Sequence, residues 1–498
     1  MTGSKKRPGP ARAKPLAASD DVIGGPLTGT RSLGGLARAR APSAPRRLSE
    51  ARRLPDSRRT NEWLAEASHA IYDWNSVNVS SSLVGRSFTL CDETLRDGLQ
   101  SPSVTDPSVE EKVELLHLMS SLGIGAITVG LPGAGERAYR DSLALVREAV
   151  RTRLPARLNL SARTMEADLR PIADIAQATG AAVTAYTFIG SSPIRLFAEG
   201  WTLSTLLRHV ETAVSFAVRE GIEVCLVTED TTRARPDVLD PLFRTAISLG
   251  ARRLCLCDTV GHATPDGVRG LVAWTRNLIV GCGAEVGLDW HGHNDRGLAV
   301  INSLVALEAG ADRAHGTGLG LGERVGNAAM DQLLINLKLG GAYEHDISNL
   351  ARYCELVASA CQVEIPASYP VFGRDAFRTA TGVHAAAIIK AQRKGDTDYA
   401  DRVYSGVPAS WVGRNQAIEI SHMSGASNVM YWLEAQGLPA DQELIATIMQ
   451  RAKSMRRVLS DDELHALVAS QTSADSDSTD MAPELTMGRE READATVN

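Results

Sequence analysis

Aromatic residues are scarce, at 5% of 498 positions. No apolar run approaches the roughly 20 residues that a membrane-spanning helix needs, so a membrane-spanning protein is excluded. Cysteines are few and scattered, at 91, 225, 255, 257, 282, 354 and 361, and none forms a CxxC pair. An odd number without metal-ligand spacing argues against a disulfide framework or a thiolate zinc site. A reducing compartment, the cytoplasm, fits best. No large excess of one charge exists either: 53 Lys+Arg oppose 59 Asp+Glu, a net of −6. Nucleic acid is therefore not expected as the main partner. What is plentiful is glycine (43 residues) within a chain that is 44% hydrophobic. A chain of this length and composition reads as an α/β enzyme of one large domain with an appendage, or of two to three ordinary domains.

Charge is unevenly spread. Residues 1–59 hold 14 Lys/Arg and 4 Asp/Glu, a local net of +10. Rich in Pro, Gly, Ala and Ser and without apolar periodicity, the segment 1–60 is expected to be disordered. A transit peptide or a nucleic-acid arm are the alternatives for so basic a stretch. Without an apolar h-region it is no secretory signal. Residues 61–85 are expected to form a lead-in helix or linker. At the other end, 471–498 carries 7 acids and 2 Arg, expected as a disordered acidic tail.

Between these ends β-type runs recur: Phe88–Asp92, Ile124–Gly130, Arg157–Ala162, Ala182–Ile189, Ile222–Thr228, Arg253–Asp258, Glu285–His291 and Ala311–Gly316. Helical patterns separate them, such as Val109–Leu122, and several end in a glycine just before the next strand: Gly123, Gly180, Gly221, Gly250, Gly310. Eight such units over about 250 residues is the count of a (β/α)8 TIM barrel. A doubly wound sheet is the alternative, but it usually closes with fewer strands. The barrel is expected over 86–345. A mainly helical C-terminal region should follow over 346–470, with helices at Ser348–Cys361, Ala376–Lys394, Gln416–Glu434 and Asp441–Val458. Polar residues gather at the strand C-terminal ends, the face of a barrel that carries active sites.

Three motifs lie on that face. His291-Gly292-His293-Asn294-Asp295 ends the seventh run, and alternation turns both imidazoles the same way, towards one metal ion. Asp97 is the candidate third ligand, since the first strand neighbours the last in a closed barrel. A lone HxH is weak evidence, since such pairs are as often structural or on the surface, but HxHND at the C-terminal end of a barrel strand is much stronger evidence for a metal site. Mixed nitrogen and oxygen ligation suits Mg, Mn, Fe or Zn acting as a Lewis acid. In Asp92-Glu93-Thr94-Leu95-Arg96-Asp97-Gly98-Leu99-Gln100, a cation stands beside that carboxylate. The plain reading is a salt-bridged loop. The chemical reading is a guanidinium that stabilises a developing oxyanion. Gly316 to Asn327 (GTGLGLGERVGN) is a glycine-rich loop that reads alone as a phosphate cradle or a flexible lid; it lacks the GK[ST] ending of a P-loop and follows the last strand, which argues against a dinucleotide fingerprint.

Together LRDGLQ, HGHND and GLGERVGN resemble the DRE-TIM metallolyase family, and within it the Claisen-condensing branch of 2-isopropylmalate, homocitrate and citramalate synthases. The resemblance extends over about residues 86–430, and TFIGSSPI (187–194) and TEDTTR (228–233) add to the likeness. It implies Asp97, His291, His293 and Asn327 as metal ligands, with Mg or Mn the expected ion and Zn a third candidate. It places Arg96 over the reacting oxygens. Glu229 and Thr259 hold the α-keto acid, with Gln100, Ser191 and Ser192 as further substrate contacts. His384, in Thr381-Gly382-Val383-His384, and Tyr404 would complete a neighbouring subunit's barrel, so a homodimer is implied. The expected reaction joins acetyl-CoA to an α-keto acid and hydrolyses the thioester.

Some residues depart from the family pattern. Tyr186 and Cys225 stand where many isopropylmalate synthases have His and a charged residue, and Thr379 replaces the first His of an HxxxxH pattern. The loop after the eighth run has no Cys, unlike hydroxymethylglutaryl-CoA lyases, which favours a synthase over a lyase. An inactive scaffold is the remaining alternative. Cys225, Leu226 and Val227 suit a keto acid with an apolar tail such as 2-oxoisovalerate. A second carboxylate, as in 2-oxoglutarate, would need a cation, and Arg163 and Arg195 are the ones that could reach in. After Val458 only a short helical stretch and the tail remain, so no leucine-binding regulatory domain is expected.

Overall fold

The computed structural model describes residues 72–77, 83–395 and 397–479. Residues 72–77 group with the N-terminal segment. They form one 3-10 turn, Trp74–Ser76, capped by the Asp73 carboxylate on the Asn75 amide. The expectations for 1–60, and for most of 61–85, lie outside the described residues.

From residue 83 on, the chain builds the barrel. Eight parallel strands close in sequence order: β1 (Thr89–Asp92), β2 (Ala126–Thr128), β3 (Arg157–Arg163), β4 (Val183–Gly190), β5 (Glu223–Glu229), β6 (Arg253–Asp258), β7 (Gly287–Gly292) and β8 (Arg313–Gly316). β8 pairs back onto β1, with Cys91 opposite His315. Around them run α1 (Val109–Ser121), α2 (Glu136–Thr152), α3 (Glu166–Thr179), α4 (Pro193–Glu199), α5 (Leu203–Arg219), α6 (Pro236–Ser248), α7 (Pro265–Gly281), α8 (Ala299–Ala309) and α9 (Met330–Leu339). The local causes are legible. Ser108 and Glu111 form a reciprocal capping box at the start of α1, with Ser108 Oγ accepting from the Glu111 amide at 3.2 Å and Glu111 Oε2 from the Ser108 amide at 2.8 Å. The five glycines that precede strands all have positive φ, from 67° at Gly180 to 115° at Gly310, as a left-handed helix end requires.

The aliphatic core lies between strands and helices, where Leu115, Leu116, Met119, Leu145 and Leu169 are fully buried. Each such side chain contributes about 1.5–3 kcal/mol by leaving water. The barrel interior is different. Such interiors are normally filled by Val, Ile and Leu, but here a buried ion network occupies the end remote from the mouth. Asp289 sits at its centre. Arg253 Nε donates to its Oδ1 at 2.8 Å, the Tyr186 hydroxyl donates to Oδ2 at 2.6 Å, and His315 Nε2 lies 3.2 Å away. Arg313 Nη1 donates to the Tyr186 oxygen at 2.7 Å. Burial alone would raise the Asp289 carboxyl, but Arg253 and Arg313 hold it well below the usual carboxylate range.

Beyond the barrel come α10 (Leu350–Ala360), β9 (Arg378–Thr379), α11 (Gly382–Arg393), α12 (Thr397–Arg402), β10 (Ala417–Ile418), α13 (Ala426–Ala435), α14 (Gln442–Ser454) and α15 (Asp461–Thr479). The region is mainly helical, with two corrections to the expected elements. The helices expected at Ala376–Lys394 and Gln416–Glu434 begin later, at Gly382 and Ala426. Their leading residues instead pair as the two-stranded parallel sheet of β9 and β10. Ser424 Oγ and Asn428 Nδ2 donate to the Ala380 carbonyl at 2.7 and 3.3 Å, and the Gly382 amide donates to the Met423 carbonyl at 3.1 Å. The third difference concerns the tail. α15 runs on to Thr479, so 471–479 are helical, where a disordered tail from residue 471 was expected. Ser460 and Glu463 cap its start reciprocally, and three acids fill its first turn, which complements the helix dipole.

Asp289→Asn removes the anion shared by two buried guanidiniums. We expect a loss of about 3–5 kcal/mol, the cost of stripping a buried ion pair of one partner, read as a lower midpoint in urea unfolding followed by circular dichroism. A loss below about 1 kcal/mol would show that the network contributes little to folding.

Candidate active site

The three motif loops converge at the C-terminal mouth of the barrel. His291 Nε2 lies 3.2 Å and His293 Nε2 3.5 Å from Asp97 Oδ2, and the two imidazole nitrogens are 3.4 Å apart. All three residues are buried. These atoms form a nearly equilateral triangle, whose edges match three ligands each about 2.1 Å from one ion. Asp97 Oδ2 has no conventional hydrogen-bond partner in the structure, as a ligand oxygen would not. Burial followed by the neighbouring His291 pushes His293 down to about 4, so its ring is neutral near pH 7. Burial would raise Asp97, but Arg96 and the two imidazoles outweigh it and keep the carboxylate ionised. A neutral imidazole and a carboxylate are the protonation states that bind cations; at His291 burial is outweighed by the Asp97 carboxylate, which raises that imidazole, so an incoming cation displaces a proton there. Asn327 is joined to His293 by an antiparallel bridge. Its Nδ2 donates to the Leu321 carbonyl at 3.0 Å, and its buried Oδ1 is left without a partner.

Arg96 is fixed beside this triangle. Its Nε donates to Glu93 Oε2 at 2.7 Å, its Nη1 lies 3.3 Å from Asp97 Oδ1, and Thr128 Oγ1 donates to Glu93 Oε1 at 2.7 Å. Burial of Glu93 is outweighed by Arg96, His315 and His291, so its carboxyl stays ionised. Glu93 was visible in the sequence only as one of several loop acids. The structure makes it the brace of Arg96.

A cavity of about 250 Å³ opens in front of these groups. Arg96, Asp97, Gln100, Glu229, Thr259, His291 and His293 all line it. The Thr259 hydroxyl also accepts from the Asp230 amide at 2.8 Å. Burial raises the Glu229 carboxyl, partly offset by Arg195, whose Nη2 is 3.4 Å away. Tyr186, Cys255, Cys257, His315 and Glu323 line the cavity too, without having been assigned a role. Strand alternation along the sixth and eighth runs places three of them, Cys255, Cys257 and His315.

Two expected contacts are not brought to the cavity. Ser191 Oγ donates to the Glu229 backbone carbonyl at 2.9 Å. Ser192 caps α4 and donates to the Asp230 carboxylate. Both are fully buried, so they hold the β4 and β5 loops together and neither lines the cavity. His384 and Tyr404 also lie away from it. They sit ring to ring at 4.2 Å, both exposed to solvent.

The remaining motif residues lock the loops to one another. Arg324 Nε donates to Asp295 Oδ1 at 2.9 Å and its Nη2 to the Thr259 carbonyl at 2.6 Å. The Asn294 amide donates to the Gly326 carbonyl at 2.9 Å. Gly326 has φ 87°, and a Cβ there would collide with the Gly320 carbonyl that accepts from the Asn327 amide. Only glycine fits this position.

Ser192→Ala removes a helix cap and a partner of the buried Asp230 carboxylate. We expect a stability loss of about 1–2 kcal/mol with ligand affinity changed less than about threefold. Thermal melts and ligand titration of the variant would check this. A large affinity loss at unchanged stability would restore Ser192 to the binding surface.

Residues 87–357 match the HMGL-like family. The chain is 31% identical over 385 residues to homocitrate synthase AksA of Methanopyrus kandleri, covering 76% of this chain and 90% of that protein. It is 31% identical over 389 residues to 2-isopropylmalate synthase of Solidesulfovibrio magneticus, covering 76% and 72%. It is 29% identical over 390 residues to homocitrate synthase 1 of Nostoc sp., covering 76% and 96%. With its closed eight-stranded barrel and its LRDGLQ, HGHND and GLGERVGN loops on one rim, the chain belongs to the HMGL-like family of DRE-TIM barrels.

Proposed function

We propose that this protein condenses acetyl-CoA with an α-keto acid and releases coenzyme A by hydrolysis, with a divalent metal held by Asp97, His291 and His293. The observation that carries this reading is the 3.2–3.5 Å triangle of ligand atoms beside a braced guanidinium in one cavity. A bound divalent ion supplies Lewis acidity towards the keto and carboxylate oxygens of the keto acid. Arg96, aligned by Glu93, offers N–H groups to the oxygen on which negative charge develops, in a site where little water competes. Thr259 and Glu229 face the same cavity and orient the keto acid. His384 takes a proton from the acetyl methyl group. Because it is exposed and away from the cavity of its own chain, it acts in the barrel of a second copy, with Tyr404 stacked beside it.

The relatives named above are called homocitrate synthase and 2-isopropylmalate synthase at 29–31% identity, so cavity chemistry has to choose between the two. We infer an apolar-tailed keto acid, 2-oxoisovalerate first. Arg163 pairs outward with Asp168 at 2.6 Å. Arg195 pairs with Glu199 at 3.2 Å and Glu229 at 3.4 Å. Neither lines the cavity, whose walls include Tyr186, Phe188 and Val227. Among the described residues lining the cavity, a second carboxylate would meet no cation besides Arg96 and the imidazoles already assigned above, an unfavourable burial. A homocitrate-type reaction with 2-oxoglutarate is the other reading, and it rests on the homocitrate synthase relatives.

Coenzyme A release with a keto-acid panel tests both readings. We expect kcat/KM for 2-oxoisovalerate to exceed that for 2-oxoglutarate by tenfold or more, in keeping with the ~1–3 kcal/mol that apolar contacts discriminate. Preference for 2-oxoglutarate would overturn the substrate assignment.

Chelation should abolish release, and Mg or Mn should restore it. Full turnover in verified metal-free protein would refute the metal role. His384→Ala chains mixed with Asp97→Ala chains should regain part of the activity, because one shared site then holds both intact groups. If subunits are shown to exchange and no activity returns, His384 does not act across subunits.

A further inference from the structure

Cysteines 255 and 257 stand two apart on β6, so both side chains project from the inward face of the strand. Their sulfurs are 3.9 Å apart, and both residues line the cavity. Cys225 and Tyr186 pack against them in the same cluster. None of this thiol chemistry is used by the reaction described above.

The spacing selects what can join the two sulfurs. Residues two apart on a strand have Cα atoms about 6.6 Å apart, near the upper limit for a disulfide. A direct S–S bond of about 2.05 Å would also need the two sulfurs to close by nearly half their separation. A single bridging atom needs far less movement. Two sulfurs each about 2.3 Å from one pyramidal centre, with an angle near a right angle, lie roughly 3.3 Å apart, a closure of well under an ångström from the spacing present here.

Charge favours the same outcome. Arg253, Arg313 and Asp289 already form a buried ion network beneath the cavity. A thiophilic centre that takes up two thiolates in place of its own two negative ligands brings no net charge into that environment. The other cation-capable group, Cys91, Glu93 and His315, lacks this advantage, because its carboxylate is committed to Arg96 and Thr128.

We propose that Cys255 and Cys257 form a dithiol site that captures trivalent arsenicals inside the cavity. With an organoarsenic oxide, R–As=O, the two S–H bonds and the As=O bond break, two As–S bonds form, and one water leaves. Arsenic remains trivalent, so no oxidant or reductant is required. The captured group fills the cavity in front of Arg96 and His291.

Phenylarsine oxide added to the reduced full-length protein is the test. We expect one phenylarsenic group per chain by intact mass, and two fewer thiols titrated by Ellman's reagent after denaturation. 2,3-Dimercaptopropanol should reverse both changes, whereas an equal concentration of a monothiol should not. Cys257→Ser and, separately, Cys255→Ala should each lose uptake, while Cys282→Ser should retain it. Circular dichroism of each variant identifies a folded protein, and one folded variant of the pair decides the matter. Absence of uptake by the parent protein, or uptake that survives in a folded Cys257→Ser or Cys255→Ala variant, overturns the assignment.

Discussion

The barrel depends on one buried carboxylate. Asp289 gathers Arg253, Arg313, Tyr186 and His315 into the space that aliphatic side chains usually fill. Removing charges from water costs several kcal/mol each, and mutual attraction offsets it only when the geometry is good and the remaining hydrogen bonds are made. Here both carboxylate oxygens are engaged, and Arg313 is shared between Asp289 and the Tyr186 hydroxyl. The consequence reaches upward through strand alternation. Asp289 lies two residues below His291 on β7, and His315 stacks edge-on to the His291 ring at 5.5 Å. The floor of the site is therefore an ordered polar layer that limits how far the imidazole above it can tilt.

Above that floor, each motif does two jobs. In HGHND the imidazoles face the cavity while Asn294 and Asp295 bind the glycine-rich loop. In LRDGLQ, Arg96 and Asp97 face the cavity, and Glu93 just ahead of them braces the guanidinium. In GLGERVGN, Arg324 returns the contact to Asp295 and to the Thr259 carbonyl. The loops after β1, β6, β7 and β8 thus hold each other. Such cross-bracing is what a preorganised electrostatic site requires.

Much of this was legible beforehand. The eight strands followed from spacing and from glycines whose positive φ ends a helix. Asp97, His291 and His293 followed from alternation together with the closure of β8 on β1. What escaped has physical reasons. The polar floor was hidden because Arg253 and Arg313 open β6 and β8, where charge usually faces solvent, and Asp289, inside β7, reveals its role only through those two partners. Ser191 and Ser192 looked like ligand contacts because a hydroxyl at a strand end serves a substrate or a neighbouring loop equally well, and only the partner atom tells which. The helical patterns at 376 and 416 run on through β9 and β10 because those strands are two residues each, too short for a period-two pattern to register.

That small sheet also orders events in time. The turn that begins α11, and hence the position of His384, is held by the Gly382 amide on the Met423 carbonyl and by Ser424 and Asn428 on the Ala380 carbonyl. All of those partners lie more than 40 residues downstream. During synthesis the turn that begins α11 lacks these hydrogen-bond partners until residue 428 is free of the ribosome, whereas each barrel strand after the first already has its preceding neighbour. The barrel can assemble progressively, strand by strand. The arm carrying His384 settles in a single late step, and long-range closure of this kind is slower than local contact formation.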